Sequence, residues 1–447
     1  MDIGPGDLTT MNIFVLNCGS SSLKYGMISM PAGEEILSGE VQRIGAKTAE
    51  ASRIVHRVSG REETYPIKAG SYKEAFSEAT RIVEKDMSFP PDVFAHRLVQ
   101  GGAEFRDNTL ITRREFPLLE KIRDLAPIHN PPVIELINEC DARYPEIPQA
   151  VILDTAFHST IPEYAYTYPL PEGIRDELGI RKYGFHGISH QYVSEAAAEF
   201  LGIAPERFNA VSCHLGSGGA SLCVVAGGKS ADNSMGFSPL QGLVMSTRCG
   251  DLDPAVVLKM IAYTGGDYSK VDKILNRKSG VLGLSGISSD IRDVIRRAAG
   301  TEDERSRTTL DVYLSRIKKY LGAYMTVVGN ADAVIFTDTI GESVPYVREL
   351  VCRNMDYFGI RLDKWKNRTA TGLPADISSS GSEAHILVVR TNEEAAIAKR
   401  AYELLSRRET YGHISPADVG LVGPDGSESA FHENGEGANE KLSRLDS

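Results

Sequence analysis

The chain has 447 residues, of which 42% are hydrophobic and 24% charged, and its formal net charge is −11. This length exceeds what a single hydrophobic core supports and predicts two domains. The negative charge argues against nucleic acid or an anionic membrane as a general partner. No apolar run approaches the roughly 18 residues of a transmembrane helix, and no signal-peptide pattern opens the chain. Six scattered cysteines indicate reduced thiols, and we expect a cytoplasmic protein.

The first informative stretch follows an expected flexible lead at residues 1–10. An apolar strand from Ile13 enters the polar turn Asn17-Cys18-Gly19-Ser20-Ser21-Ser22, and Leu23-Lys24-Tyr25 begins a second strand. Small residues let the backbone and hydroxyls approach a multiply charged anion. The turn therefore predicts a phosphate cradle in which Lys24 supplies positive charge, with an ordinary Ser/Gly hairpin turn as the alternative.

The next segments predict alternating helices and strands. Helical spacing covers 73–87, and a buried strand from Phe94 ends in a glycine pair at 101–102. Helices at 118–125 and 133–142 flank a proline-rich loop. An apolar strand is then predicted at 150–153, and Asp154 follows directly at its carboxyl end.

A second hairpin, predicted within 210–228, repeats the first at an offset of 197 residues. Asn17-x-Gly19-Ser20 aligns with His214-x-Gly216-Ser217, and both copies read as strand, polar turn and strand. Repeats of a supersecondary unit indicate duplicated architecture. We therefore expect two similar lobes that face a shared cleft, each with an anion-binding hairpin.

The remaining chain is predicted to be helical from 255 to 330, interrupted by a Gly/Ser-rich loop at 279–289. Strands follow at 333–336 and 386–389, and a helix runs from the Thr391-Asn392-Glu393-Glu394 segment to about residue 405. We expect an N-terminal lobe at 11–154, completed by about 386–412, and a C-terminal nucleotide-binding lobe at 155–385. Residues 413–447 are acidic and poor in apolar residues, which predicts a disordered tail.

Four charged or titratable residues outside the hairpins suggest chemistry. Arg97 and Arg248 lie among small residues, a setting suited to binding phosphate or carboxylate. Asp154 follows a strand, and His186 lies between Phe185 and Gly187. Each has a structural alternative: a salt bridge for either arginine, a turn cap for Asp154, a buried core histidine for His186. Together with two anion hairpins they indicate phosphoryl transfer, which depends on positioning and charge stabilisation.

The motifs resemble those of the acetate kinases, which belong to the superfamily of actin, the sugar kinases and the heat-shock ATPases. The resemblance covers roughly residues 11–405 and implies the duplicated α/β fold of the actin-like (ribonuclease H-like) ATPases, with two similar lobes around a cleft, and a homodimer. The matching motifs are NCGSSSLK, HRLVQGG, APIHNPP, LDTAFHSTIP, YGFHGISH, HLGSGG, SMGFSPLQGL, TRCGDLDP, SGVLGLSG and TNEEAAIA.

The resemblance implies reversible phosphoryl transfer between ATP and acetate, giving acetyl phosphate and ADP by direct in-line attack with Mg²⁺ or Mn²⁺. The residues that match the family's catalytic groups are Asp154, Arg97, His186, Arg248 and His129. Those that match the metal site are Asn17 and Glu393, with Glu394 as an alternative to Glu393. The residues of the phosphate-binding turn are Ser20, Ser22 and Lys24, and those of the acetate-methyl pocket are Val99, Ile128, Phe185 and Pro239.

The nucleotide side departs from the family pattern. The matching residues are His214, Leu215, Gly216, Ser217, Gly218, Asp290, Ile291, Arg292, Thr339, Ile340, Gly341, Glu342 and Ser343. Asp338 and Thr339 stand where the family usually has small residues, and Ser343 where it usually has Asn. Two alternatives to an ATP-dependent enzyme therefore stay open. One is an acetate kinase that uses pyrophosphate, phosphate or another nucleotide, and the other is a catalytically silent acyl-phosphate-binding protein.

Overall fold

The computed structural model describes residues 10–19, 21–45, 51–86, 90–127, 129–300 and 303–411. Its strands are β1 (Met11–Cys18), β2 (Ser22–Met30), β3 (Glu34–Gln42), β4 (Arg53–Val58), β5 (Arg61–Pro66), β6 (Val93–Leu98), β7 (Thr109–Ile111), β8 (Gln149–Leu153), β9 (Ala210–Leu215), β10 (Ala220–Ala226), β11 (Lys229–Asn233), β12 (Ala333–Thr337), β13 (Ala375–Asp376) and β14 (His385–Val388).

Its helices are α1 (Tyr72–Asp86), α2 (Phe116–Lys121), α3 (Asn130–Arg143), α4 (Glu163–Tyr166), α5 (Glu172–Glu177), α6 (Gly187–Leu201), α7 (Pro254–Tyr263), α8 (Tyr268–Arg277), α9 (Gly280–Ser285), α10 (Ile291–Gly300), α11 (Glu304–Val328), α12 (Asp338–Ser343), α13 (Pro345–Cys352), α14 (Lys364–Thr369) and α15 (Glu393–Tyr411).

Two mixed sheets repeat one topology. The first has the order β5-β4-β3-β2-β1-β6-β8-β7, and the second β11-β10-β9-β12-β14-β13. The order β3-β2-β1-β6-β8 in the first sheet therefore matches β11-β10-β9-β12-β14 in the second. The hairpin registers also agree, because Asn17 pairs with Lys24 and, 197 residues later, His214 pairs with Ser221. The predicted two-lobed α/β fold is confirmed.

Helices cover both faces of each sheet, as the nearly continuous burial of the central strands requires. On their outer faces, α1 and α3 cover the first sheet and α11 and α13 the second. On the facing sides, α15 packs on β1 and β8 through residues such as Ile397 and Ala401. Val193 and Ala197 of α6 pack on β9, β12 and β14. The two helices also contact each other, so they form a shared middle layer.

Several predicted boundaries change. The expected Gly/Ser-rich loop at 279–289 contains α9, because Val281 is buried and its N–H donates to the Met245 carbonyl at 2.9 Å. Tertiary contacts there override the low helix propensity of glycine. The segment from Asp338 also forms a helix, α12. The predicted helix at 118–125 is α2 followed by a short 3₁₀ turn, and α15 extends to Tyr411.

The expected lead and the acidic tail lie outside the described residues, except for Thr10. In the part of the chain that the structure describes, helices that are long enough to span a bilayer are not apolar enough to do so. Strand β14 pairs with β12 in the second sheet, so the return of the chain to the first sheet comes after Val388.

Candidate active site

The first part of the site lies at the carboxyl edge of the first sheet. Strands β1, β6 and β8 are parallel, so Arg97 near the end of β6 lies beside Asp154, which directly follows β8. Arg97 Nη2 donates to Asp154 Oδ2 at 2.6 Å, and Nε donates to Oδ1 at 3.3 Å. Asp154 is only 2% exposed. Burial raises the pKa of this carboxyl, and the Arg97 charge opposes that rise.

Residues from the two ends of the chain meet next to this pair. Asn17 Nδ2 donates to Glu393 Oε2 at 3.1 Å and to Glu394 Oε1 at 3.3 Å, while Arg97 Nη1 donates to Asn17 Oδ1 at 3.2 Å. Burial opposes the charge of Glu393, but Arg97 and His214 hold its pKa below the usual value. Both glutamates reach Asn17, so the distances alone do not choose between them.

The donor set at Asn17 and Glu393 suits a hard divalent cation. Among the described residues, no cluster of three or more His, Cys, Asp or Glu side chains is arranged to hold a metal. Proteins commonly bind Mg²⁺ through one or two carboxylates and let phosphates and waters complete the coordination. An amide oxygen and one carboxylate are ligands of that kind. In this structure the Asn17 Oδ1 accepts from Arg97 and the Asn17 Nδ2 faces Glu393, so the amide must turn over to present its oxygen to Mg²⁺ or Mn²⁺.

The phosphate-binding turn of the first hairpin is only partly described. Ser22 and Lys24 lie on β2, where Lys24 pairs with Asn17 and its charge also lowers the pKa of Glu393. The Gly19 N–H donates to the Ser22 carbonyl at 2.8 Å and closes the turn. Ser20, predicted to bind phosphate, lies outside the described residues.

His186 and Arg248 converge on the second hairpin. A Cβ atom placed on Gly219 would lie 3.2 Å from His186 Nε2 and 3.3 Å from Arg248 Nη1. His186 holds a left-handed backbone, with φ of 58°, and the Gly187 N–H that follows donates to the Asp154 carbonyl at 2.8 Å. Burial, then the electrostatic influence of His214, His190, Arg97 and Arg248, lowers the pKa of His186 well below its ordinary value.

Arg248 differs from Arg97 in having no carboxylate partner among the residues that the structure describes. Its side chain makes a weak contact, from Nη1 to Met245 Sδ at 3.7 Å. Burial lowers the pKa of this guanidinium. A largely desolvated cation without an acid partner is a ready site for an anion.

The predicted apolar pocket is part of a cavity of about 880 Å³ between the lobes. Val99, Phe185 and Pro239 line it together with His129 and Arg248. Burial, with the charges of Arg97 and Arg248, lowers the pKa of His129 to about 4, so this imidazole is neutral at pH 7. Ile128, also predicted here, lies outside the described residues.

The predicted nucleotide residues come together at the carboxyl edge of the second sheet. Those that line one narrow crevice there are Gly216, Ser217, Asp290, Ile291 and Ile340. Gly218 lies in the same hairpin. The Leu215 side chain is fully buried in the core, so only its backbone is available to a ligand.

Two ion pairs flank this crevice. Arg292 forms a bidentate pair with Asp290, with Nη2–Oδ2 at 2.6 Å. His214 Nε2 lies 3.0 Å from Asp338 Oδ2. In α12, the Thr339 N–H donates a hydrogen bond to the Asp338 carboxylate and is therefore not free to bind a ligand.

Comparison with known proteins identifies the family. The model of the acetokinase family matches residues 12–399. The chain belongs to the acetokinase family. It is 42% identical over 405 residues to acetate kinase of Clostridium kluyveri, covering 89% of this chain and 98% of that protein.

Solved structures of family members have the same fold. Acetate kinase of Porphyromonas gingivalis gives a TM-score of 0.81 at 35% identity, covering 88% of this chain and all of that one. A propionate kinase of Francisella tularensis gives a TM-score of 0.80 at 35% identity, with coverage of 87% and 98%. As an acetokinase, the chain is a phosphotransferase whose acceptor is a carboxyl group.

Sequence reasoning missed the polar network behind the imidazole of this acetokinase. The Ser221 hydroxyl lies 2.8 Å from both His186 Nδ1 and His190 Nε2, and His190 Nδ1 lies 2.9 Å from Ser212. One hydroxyl has one proton, so Ser221 donates to one imidazole and accepts from the other. When it donates to His186 Nδ1, neutral His186 carries its proton on Nε2, which faces Gly219.

Arg348 was also missed, although it supports the predicted adenosine segment. It is 2% exposed, and its Nη1 donates to the carbonyls of Gly341 and Glu342, both at 2.7 Å. Burial lowers its pKa to about 10. The Glu342 carboxylate accepts from the N–H groups of Asp338 and Thr391, which links α12 to the segment before α15. No local sequence signal marks Arg348, because its partners are backbone carbonyls and the side-chain oxygen of Asn367, 19 residues away.

Proposed function

We propose that the chain catalyses reversible phosphoryl transfer between ATP and acetate, giving acetyl phosphate and ADP. The observation that carries the proposal is Arg248, a partly buried guanidinium without an acid partner among the described residues. It lies beside His186 Nε2 at a hairpin that can bind phosphate, and it lines the cavity that holds the apolar pocket. Family membership favours this reaction over transfer from inorganic pyrophosphate.

At the acceptor end, Asp154 acts through Arg97. The bidentate contact fixes the guanidinium plane. Its Nη1 edge donates to Asn17 Oδ1 and lies 3.4 Å from Glu393 Oε2, so the acetate carboxylate would replace these contacts to bind there. Val99, Phe185 and Pro239 receive the methyl group, which gains only about 0.8 kcal/mol per buried carbon. Selection against propionate must therefore be steric and modest.

At the phosphoryl end, negative charge develops on the oxygens of the transferring phosphoryl group. Hydrogen-bond donors that the protein already holds in position stabilise this charge. Arg248 supplies permanent positive charge. Neutral His186 donates from Nε2 when Ser221 donates to its Nδ1, and His129 lines the same space. Asn17 and Glu393 would hold Mg²⁺, which neutralises phosphate charge when bound.

The donor's remaining phosphates fit the hairpin turns of both lobes, and its nucleoside fits the second lobe. We assign the phosphates to the turns at Ser22–Lys24 and at His214–Gly218, and the nucleoside to the crevice beside Asp290 and α12. Backbone N–H groups in a glycine-rich turn suit a polyphosphate. The crevice is narrow, so nucleotide entry requires movement of its lining side chains.

A steady-state assay tests this function. Purified protein with Mg²⁺ and acetate would be given ATP, GTP or pyrophosphate, and acetyl phosphate would be trapped as the hydroxamate. We expect turnover with ATP, loss of turnover with excess chelator, and weaker turnover with propionate. Turnover with pyrophosphate but not with ATP would contradict the proposal, as would the absence of turnover with every donor.

We also propose that the protein forms a homodimer through α7. This helix is rich in apolar residues but buries none of them, and Val256, Leu258 and Tyr263 are all exposed. Exposed apolar surface of this kind often marks a protein interface. Leu258→Glu should yield monomers in sedimentation velocity, whereas Tyr357→Glu, at an exposed position on another segment, should stay dimeric. A monomeric parent protein, or a dimeric Leu258→Glu variant, would refute this interface.

We propose lobes at 11–154 and 155–388, with the chain returning to the first lobe after β14. The expected boundary at 385 moves to 388 because β14 pairs within the second sheet. The separate sheets and the packing of α15 on β1 support this division. A cytoplasmic location is supported by the six cysteines, none of which is in a disulfide, since reducing compartments keep thiols free.

A further inference from the structure

Asp338 places a negative charge inside the hairpin that we assign to the nucleotide phosphates. Its Oδ2 lies 3.0 Å from His214 Nε2. A Cβ atom on Gly216 would lie 2.3 Å from the same oxygen, so the carboxylate rests directly against the backbone of the hairpin. Burial opposes this charge, but the hydrogen bond and charge of His214, together with the hydrogen bonds from Thr339, outweigh it and hold the pKa of Asp338 well below its usual value.

The carboxylate occupies donors that an incoming phosphate would otherwise use. A carboxylate only accepts hydrogen bonds, so His214 donates from Nε2. The other carboxylate oxygen accepts from the N–H of Thr339 and, at 2.8 Å, from its hydroxyl. His214 Nδ1 faces the Ser189 hydroxyl at 2.9 Å, so both nitrogens of His214 are engaged.

The backbone at Asp338 keeps its carboxylate in this place. Asp338 has a φ of 63°, a left-handed conformation that residues other than Gly, Asn and Asp rarely adopt. The main-chain N–H donates to Glu342 Oε1 at 3.1 Å. The side chain therefore leaves the backbone at a fixed angle, toward His214 and Gly216.

We propose that Asp338 is an internal competitor of the nucleotide's phosphates and sets the affinity of this enzyme for ATP and ADP. The inference rests on the proposed function only in assigning the nucleotide to this hairpin. A phosphate entering beside Gly216 meets a like charge and a histidine that is already paired. The affinity for nucleotide is lower than the hairpin would otherwise give, and the acetate pocket is unaffected.

Two substitutions test the effect of the Asp338 carboxylate without changing the backbone conformation at that position. Asp338→Asn removes the charge and Asp338→Gly removes the whole side chain, and both new residues tolerate a positive φ. The matched control is Asp376→Asn. Asp376 pairs with His385 at 2.8 Å and is 27% exposed, as Asp338 is, but it lies on the edge strand β13.

Direct binding of ADP by calorimetry and KM for ATP would be measured on the full chain. We expect both Asp338 variants to bind ADP more tightly and to lower KM for ATP, by about tenfold at low salt, because a like charge is removed. High salt should reduce the difference in ADP affinity between the variants and the parent, since mobile ions screen the repulsion between Asp338 and the phosphates. KM for acetate should stay unchanged in both Asp338 variants. Asp376→Asn should match the parent in every measurement.

Unchanged or weaker ADP binding in both Asp338 variants would overturn the inference, even in a fully active enzyme. An equal fall in KM for acetate would also overturn it, because the effect would then not be confined to the phosphates. ADP binding does not need turnover. Tighter binding by the variants of an inactive parent would therefore support the role of Asp338 while the proposed reaction failed.

Discussion

The ion pair of Arg97 and Asp154 can be tested by a double-mutant cycle. Arg97→Met keeps the aliphatic length of the side chain but leaves Asp154, 2% exposed, without its bidentate partner. Removing one partner of a buried pair costs about 3–5 kcal/mol of unfolding free energy. Asp154→Asn leaves Arg97 with Glu393 at 3.4 Å, and should cost less. The double variant should recover much of the loss, giving a coupling energy of about 2 kcal/mol or more.

The chain offers an exposed pair as the control for this cycle. Arg57 and Glu62 lie 2.7 Å apart, nearly the separation of the buried pair, but their side chains are 51% and 58% exposed. Their coupling should be about 0–1 kcal/mol. Urea unfolding of both cycles, followed by circular dichroism at constant salt, measures the two values. Equal couplings, or additive effects at Arg97 and Asp154, would refute the argument from burial.

The sign of the pH dependence follows from the same burial. Without Arg97, burial raises the pKa of Asp154 further above its unfolded value, so the folded state prefers the protonated carboxyl. Arg97→Met should therefore lose little stability below pH 4, where both states are protonated. Its deficit relative to the parent should grow as the pH rises from the folded pKa of Asp154 in the parent, which already lies above the ordinary value of about 3.9, toward the higher folded pKa in the variant. A deficit that is independent of pH would mean that Asp154 is not the group left unpaired.

Three further substitutions test the phosphoryl end. Arg248→Ala should lower kcat by at least about 100-fold with little change in melting temperature; near-normal turnover would exclude its role. Ser221→Ala should lower kcat about five- to tenfold through the loss of one hydrogen bond to His186. Ser230→Ala, which removes a hydroxyl 2.8 Å from His158 Nδ1, should not. Gly219→Ala should lower kcat because its Cβ would crowd His186 and Arg248. Gly173→Ala, on α5 with open space at that position, should not, and equal effects would refute the packing argument.

Parts of this site follow from local patterns in the sequence. Arg97 and Asp154 each end an apolar strand, and the ends of adjacent parallel strands must meet at one edge of a sheet. The repeat that aligns Asn17 with His214 predicts two hairpins, and their registers turn out to be the same. Short apolar strands and glycine-rich turns carry this information within a few residues.

Other parts depend on packing that no local pattern reveals. Glu393 meets Asn17 across 376 residues, and only the docking of α15 on the first sheet brings them together. The Asp338 carboxylate could be recognised as unusual, but not as the partner of His214. The glycines around α9 predict a loop, yet burial of Val281 makes a helix. Tertiary contacts decide in each case.

The position of α15 has a consequence for the order in which the chain folds. Ile13, Val15 and Ile152 of the first sheet bury one face against Ile397 and Ala401, which are synthesised about 380 residues after the first strand. That face stays uncovered on the ribosome until nearly the whole chain has emerged. The lobe that begins the protein is thus the last to be completed, and a chain cut before residue 393 would expose an apolar sheet face as well as lacking a carboxylate. Such truncated products should aggregate rather than accumulate as folded, inactive enzyme.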